Sequence, residues 1–265
     1  MPLVHIIVLS LIQGLTEFLP VSSSAHLILG GQLIGWEDQG LVFDVATHLG
    51  TLIAVLVYFR SDLLEMFKAL IRPVTDQQSR HNRSLLVFIA LATIPALLVG
   101  ALAHDLIEAY LRNMAVIAVT TLVFGLVLWW SDRVGSKWLE LSGMNLRSAL
   151  IIGLFQVLAL VPGVSRSGIT ITAGRFLGFT ADSAARFSFL LGIPLIAAAG
   201  AYGALRVASD NAEINWLQFG LAVGFSALAG WVCISAFLAI LRRVGLLPFV
   251  IYRLLLACVL IWIVF

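Results

Sequence analysis

The sequence predicts an all-α, polytopic membrane protein with about six spanning helices and two re-entrant helix–break–helix hairpins. The first reason is composition, since the 265 residues are 61% hydrophobic and only 11% charged, with a mean hydropathy of +1.05. About a quarter of the residues in an ordinary soluble domain are charged, and a disordered chain is poor in Leu, Ile, Val and Phe. The second reason is that apolar runs last about twenty residues, as spanning helices do, whereas the strands of a membrane barrel alternate over about ten.

Six apolar stretches are long enough to cross a membrane as helices. They cover residues 41–59, 84–104, 113–131, 183–205, 214–241 and 248–265. Two further stretches, 3–35 and 146–178, each consist of two short apolar pieces around a break rich in Pro, Gly and Ser. Irregular backbone at membrane depth survives only where protein or a wet cavity satisfies its polar groups. We therefore expect each of these two stretches to enter the membrane and return as a re-entrant hairpin.

The two broken stretches resemble one another in layout. Pro20 lies three residues before Ser23, as Pro162 lies three before Ser165, and each hairpin is followed by three spans. An odd number of spans reverses the orientation of the second unit, so the layout predicts an inverted repeat, with the site where the broken segments meet. Shared helix-forming composition is the alternative. The predicted unit is a single membrane domain over 1–265, with repeats at 1–131 and 146–265.

Basic residues indicate the orientation of the chain. The loops at 60–83, 131–147 and 242–243 together hold ten Lys and Arg residues, and the intervening loops hold two. The positive-inside rule then places those three loops in the cytoplasm and both termini outside. The first thirteen residues lack a basic region and a cleavage site, so we expect them to remain in the mature protein. The net charge is only +2, with no basic patch of the kind that binds nucleic acid.

Few ionisable side chains fall inside the apolar stretches, and charge at that depth is costly enough to mark a candidate functional site. They are Glu17, His26, Arg166, Arg175, Arg186 and Arg253. For Arg175 and Arg253 we expect the side chain to snorkel to the membrane surface. For Arg186, snorkelling and structural pairing are equal alternatives.

The first hairpin holds a carboxylate, hydroxyls and an imidazole within a short stretch. Its candidate residues are Gln13, Glu17, Ser22, Ser23, Ser24 and His26. Gln13 and Glu17 are four apart and share one helix face, and His26 lies one turn past Ser23. Such groups suit metal-assisted or nucleophilic phosphate chemistry. The alternative is that the serines only cap the next helix and that His26 is hydrogen-bonded in the core.

The second hairpin offers a matching anion site. Its candidate residues are Gly163, Ser165, Arg166, Ser167, Gly168 and Thr170. Glycines allow close backbone approach, the next helix presents free N–H groups, and a guanidinium matches phosphate geometry. Together the two hairpins predict a site for a phosphate ester in or on the membrane.

Two segments, Gln13–His26 and Pro162–Gly168, closely resemble the signature segments of bacterial undecaprenyl-diphosphate phosphatases, the bacitracin-resistance family. The similarity extends over essentially the whole chain. The resemblance implies hydrolysis of the polyprenyl diphosphate lipid to its monophosphate on the outer face of the bacterial inner membrane, which recycles the carrier lipid of cell-wall synthesis. It also implies a divalent cation, Mg²⁺ or Ca²⁺, and a homodimer among membrane lipids.

The resemblance assigns roles to individual residues. Glu17 and Gln13 would hold the cation, Arg166 the phosphate, Ser23 would be nucleophile or phosphate ligand, and His26 would protonate or orient the leaving group. Gln13 departs from members with two glutamates, although its carbonyl oxygen can still coordinate. A polyprenyl-phosphate transporter or flippase with the same site is the alternative function. An intramembrane serine protease, suggested by Gly163-Val164-Ser165, lacks a His partner in that motif.

Overall fold

The structure, a computed structural model, describes residues 2–23, 25–27, 40–71, 73, 76–210 and 213–264. Within these ranges the chain forms ten α-helices, and its one β-type pairing is a bridge between Leu139 and Phe179. The helices are α1 Leu3–Phe18, α2 Gly40–Tyr58, α3 Arg60–Ile71, α4 Gln77–Leu106, α5 Met114–Val134, α6 Leu146–Val157, α7 Arg166–Phe176, α8 Ala181–Ser209, α9 Trp216–Val244 and α10 Leu247–Val264.

Six of these helices are long and apolar enough to cross a membrane, and they match the six predicted stretches one for one. They are α2, α4, α5, α8, α9 and α10. The all-α, polytopic fold is thereby confirmed. Each helix satisfies its own backbone hydrogen bonds, which is the condition for a segment surrounded by lipid. Pro95 and Pro194 lie inside α4 and α8 without ending them.

Several helix pairs join one half of the chain to the other, and they are related in a regular way. Helix α1 packs against α9 as α6 packs against α4, while α2 meets α8 and α5 meets α10. Both close pairs use a glycine, since a Cβ on Gly14 would overlap α9 at Ser226 and a Cβ on Gly153 would overlap α4 at Ala92. Inverted repeats at 1–131 and 146–265 would pair in this way. The repeat and the re-entry of the broken segments into a membrane stay predictions.

The two breaks, residues 19–22 after α1 and residues 158–165 between α6 and α7, share an unusual backbone. Ser22 and Ser165 have φ angles of 73° and 71°, a left-handed conformation that is strained for residues other than glycine. The helix resumes directly afterwards, at Ser23 in the first break and at Arg166 in the second. Ser23 therefore corresponds to Arg166 in the fold. The proline spacing had paired Ser23 with Ser165, but the second break has one extra residue, Gly163, after its proline.

The expectation that Arg175 and Arg253 snorkel is wrong. Their exposed fractions are 2% and 0%, because the protein itself supplies the acceptors. Arg175 pairs with Asp132 at 2.9 Å and also donates to the carbonyl oxygen of Phe179. Arg186 has the structural pairing that was its other alternative, since it contacts Asp182 at 3.0 Å.

Candidate active site

A cavity of about 190 Å³ lies between the two breaks. Its lining residues are Thr16, Glu17, Ser22, Ser23, Ala159, Val161, Ser165 and Arg166. Each break supplies half of the lining, and its serines, carboxylate and guanidinium make the cavity polar. A cavity of about 390 Å³ between α2, α8 and α9 is larger but mostly apolar in its lining, so it offers less for binding phosphate.

Glu17 and Arg166 form an ion pair at this cavity. Arg166 Nη2 lies 3.2 Å from Glu17 Oε1, although 149 residues separate them in the chain. Glu17 stands in the last turn of α1 and Arg166 is the first residue of α7. Their side chains are only 10% and 9% exposed, so each charge depends on its partners for compensation. Arg166 Nη1 completes its set of partners by donating to the carbonyl of Ser188 at 3.1 Å.

The second oxygen of Glu17 is also engaged. Oε2 accepts hydrogen bonds from Gln13 Nε2 at 3.0 Å and from Ser23 Oγ at 3.2 Å. Gln13 lies one helical turn before Glu17 and is 1% exposed, so it lies behind the carboxylate and outside the cavity lining. Its Oε1 is buried and meets no donor among the described residues. That free acceptor can take a hydrogen-bond donor or a cation.

The predicted hydroxyl groups divide between the cavity and the protein. Ser165 lines the cavity and caps α7 by accepting from the Gly168 N–H at 3.1 Å. Ser167 Oγ instead donates to the Leu19 carbonyl at 2.8 Å and so joins the second break to the first. Thr170 Oγ1 lies 2.7 Å from Ser188 Oγ, against α8. The predicted residue Ser24 lies outside the described residues.

The two predicted glycines face protein and not the cavity. Gly163 has a φ of 88° and packs so closely on α5 that a Cβ would overlap Thr120. A Cβ on Gly168 would lie 2.8 Å from Nη1 of Arg253. The sequence indicated close backbone approach at both positions. In the structure the approach is to other parts of the protein, α5 for Gly163 and Arg253 for Gly168.

His26 points toward α10. Its Nδ1 lies 2.7 Å from the Ser22 carbonyl and its Nε2 lies 2.6 Å from the Tyr252 hydroxyl. The two rings also stack, with centroids 5.6 Å apart and planes 6° apart. A carbonyl can only accept, so Nδ1 carries a proton, and in the neutral ring Nε2 accepts from Tyr252. His26 is not part of the cavity lining, and both of its ring nitrogens are engaged by Ser22 and Tyr252.

Sequence reasoning missed three contributors from α8 and α10: Ser188, Tyr252 and Arg253. Arg253 reaches both breaks with its guanidinium, and Ser188 and Tyr252 contact the predicted residues Arg166 and His26. The signal for Arg253 was present, since an arginine in an apolar span is a functional candidate. Its proximity to a helix end made snorkelling the preferred reading. Ser188 and Tyr252 carried no such signal.

The chain matches the family described as "Bacitracin resistance protein BacA" over residues 6–259. The undecaprenyl-diphosphatase of Teredinibacter turnerae is 52% identical over 260 residues, which cover 98% of each chain. Undecaprenyl-diphosphatase 1 of Pseudoalteromonas translucida is 52% identical over 256 residues, 97% of this chain and 96% of that one. The undecaprenyl-diphosphatase of Alteromonas mediterranea is 47% identical over 265 residues, the full length of both.

Proposed function

Because the chain belongs to the BacA family of bacitracin resistance proteins, we propose that it hydrolyses undecaprenyl diphosphate in the cavity between its two breaks. The reaction releases inorganic phosphate and leaves undecaprenyl phosphate, the carrier lipid that cell-wall synthesis reuses. The observation that carries the proposal is the 3.2 Å contact between Glu17 Oε1 and Arg166 Nη2. It brings a proton acceptor and a phosphate-binding guanidinium to one small cavity.

Arg166 binds the terminal phosphate and stabilises the charge that develops on it. A guanidinium presents its N–H donors in a fixed fork that matches phosphate oxygens, and its charge is stronger in a site shielded from water. Arg166 is also the first residue of α7, whose first-turn N–H groups face an anion held there. Both effects act on the same phosphoryl group, which is what phosphoryl transfer requires of the protein.

Glu17 is placed to accept a proton from the attacking group. Ser23 Oγ donates to Glu17 Oε2 at 3.2 Å. In one route Ser23 Oγ bonds to the terminal phosphorus while the bond from phosphorus to the bridging oxygen breaks, and water later cleaves the phosphoserine. In the other route water attacks directly and Glu17 takes its proton. Trapping labelled phosphate on Ser23 distinguishes the two.

His26 orients the reacting groups through the backbone. Its Nδ1 holds the carbonyl of Ser22, the residue directly before Ser23. Ser22 has a strained left-handed backbone, and a strained residue keeps its conformation only where its surroundings hold it. The imidazole therefore fixes the direction of the Ser23 side chain.

The oxygen donors of the site fit a divalent cation, Mg²⁺ or Ca²⁺. Glu17 and Ser23 supply oxygens at the cavity, and Gln13, behind the carboxylate, has a buried Oε1 that meets no donor among the described residues. Mg²⁺ is commonly held by one or two carboxylates together with substrate phosphates, so a single carboxylate suffices. When bound, such an ion offsets the charge of the diphosphate and polarises it.

We place the protein in the bacterial inner membrane as a homodimer with both termini and the cavity facing outward. The orientation is supported by the ten basic residues in three loops against two in the others, and the homodimer is what the family resemblance implies. In a Cys258→Ser background, a Ser209→Cys variant should react with an impermeant maleimide in intact cells, and a Ser136→Cys variant only after permeabilisation. The opposite pattern would reverse the orientation, and a mass in detergent of one 28.7 kDa chain would exclude the dimer.

The deciding experiment is phosphate release from undecaprenyl diphosphate by the purified protein. We expect Glu17→Ala and Arg166→Ala to abolish turnover while the protein still folds and inserts. Glu65→Ala and Arg186→Ala remove similar charges away from the cavity, and both variants should retain turnover. Near-normal release by either site variant would remove these assignments. No release by the wild-type chain would favour the transporter alternative, in which the site binds the lipid without breaking a bond.

A further inference from the structure

Arg253 of α10 is fully buried and bonded to both breaks. Its Nη1 donates to the carbonyl of Pro20 in the first break at 3.2 Å and to that of Val164 in the second at 2.9 Å. Its Nη2 donates to the carbonyl of Gly163, also at 2.9 Å. The exposed fraction of the residue is 0%. One side chain therefore joins two segments that are far apart in sequence.

The partners of Arg253 are carbonyl oxygens. Among the residues that the structure describes, no carboxylate pairs with it, and a more distant contact goes to the carbonyl of Thr121 in α5 at 3.4 Å. A buried charge with such partners depends on many well-aligned bonds. A guanidinium presents five N–H donors in a planar fork whose nitrogens reach carbonyls on separate segments, whereas the three donors of a lysine all radiate from one nitrogen.

The carbonyls that Arg253 holds are close in sequence to the groups that act on the substrate. Pro20 lies three residues before Ser23, and Val164 lies two before Arg166. The neighbouring Tyr252 holds the first break at a second point, through His26. Two consecutive residues of α10 thus contact the chain on either side of Ser23, Arg253 at Pro20 and Tyr252 at His26. A shift of either break would change the separation between Ser23 and Arg166.

We propose that Arg253 is a positioning residue that holds the two breaks at the separation required for phosphoryl transfer. The proposal rests on the proposed hydrolase function and assigns Arg253 no contact with substrate. Displacing a reacting group by about 1 Å can cost about a hundredfold in rate. Losing this link should therefore slow the chemical step while Arg166 still binds the diphosphate.

The test compares Arg253→Lys and Arg253→Met with Arg175→Lys. Arg175 is a matched control, since it is also a buried, charged side chain. It lies in α7 and bonds to Asp132 and Phe179, and neither partner belongs to a break. Turnover, KM and thermal unfolding are measured on each purified variant, with rates expressed per folded protein. Arg253→Lys keeps the charge and is the variant expected to fold if Arg253→Met does not.

We expect kcat to fall about a hundredfold in Arg253→Met and about tenfold in Arg253→Lys, with KM changing less than about threefold. Arg175→Lys should lose stability and keep its kcat. A normal kcat in folded Arg253→Lys, or an equal loss in Arg175→Lys, would reduce Arg253 to a structural role. Wild-type protein that releases no phosphate would instead overturn the proposed function.

Discussion

The guanidinium of Arg166 lies against the bare backbone of Gly192, in the space that any side chain there would fill. Nη1 of Arg166 would overlap a Cβ at Gly192, and the same nitrogen donates to the Ser188 carbonyl one helical turn earlier. Helix α8 thereby forms one wall of the arginine site. This wall directs the guanidinium toward Glu17.

Gly192→Ala should displace the Arg166 guanidinium and lower phosphate release about a hundredfold, because a misplaced phosphate ligand stabilises the reaction poorly. Gly200→Ala is the matched control on the same helix, since nothing lies within 4 Å of a Cβ built there. It should keep full activity and gain slightly in stability from the better helix propensity of alanine. Rates and unfolding temperatures of both variants check this, and an active Gly192→Ala would show that Arg166 tolerates another position.

Glu17→Gln and Arg166→Gln should each destabilise the fold by about 3 kcal/mol, because each leaves the other charge buried without its partner. The double variant should recover part of that loss, since neither charge remains. All three should lack turnover. Unfolding measurements and phosphate assays on the four proteins test the pairing, and a double variant that simply adds the two losses would contradict it.

Chelation of divalent cations should abolish phosphate release, and added Mg²⁺ or Ca²⁺ should restore it. Gln13→Glu should lower the cation concentration needed for half-maximal rate several-fold, because a second carboxylate joins Glu17. Gln13→Leu should raise it, because the unpartnered Oε1 is removed. Equal cation dependence in all three proteins would show that residue 13 does not contribute to the cation site.

Tyr252→Phe should lower turnover several-fold and cost about 1 kcal/mol of stability, because it removes the hydrogen bond to His26 and keeps the ring stacking. Tyr110 is an exposed tyrosine, so Tyr110→Phe should change neither turnover nor stability. If His26 acts through orientation, Tyr252→Phe and His26→Ala should differ only in degree. Normal turnover in Tyr252→Phe beside a full loss in His26→Ala would contradict an orienting role that depends on Tyr252.

The sequence predicted the helices well and the surroundings of buried charges poorly. Lipid leaves an apolar segment of about twenty residues few choices besides a helix, so a local pattern was enough to predict the six spans. Snorkelling was predicted for Arg253 because the residue lies near the start of its apolar span. Its true partners are backbone carbonyls of Pro20, Gly163 and Val164, and backbone carbonyls are present at every position of every sequence.

The correspondence between the breaks shows the same limit. Proline spacing paired Ser23 with Ser165, whereas the left-handed backbone at Ser22 and Ser165 pairs Ser23 with Arg166. Ser23 and Arg166 are thus each the first residue of the helix that resumes after a left-handed serine. An inserted residue such as Gly163 changes the register without disturbing either helix, and its trace in the sequence was a single extra residue between Pro162 and Gly178 relative to Pro20 and Gly35.

The sequence by itself determined that the chain is a bundle of membrane helices and which short segments carry its polar groups, because solvation by lipid acts on each segment separately. Only the tertiary structure decided that Glu17 meets Arg166 and that Gly192 and Arg253 hold them there. The Glu17–Arg166 contact joins residues 149 apart in the chain, and a hydrogen bond forms or fails within a few tenths of an ångström. Precision of that kind comes from the packing of all the helices together.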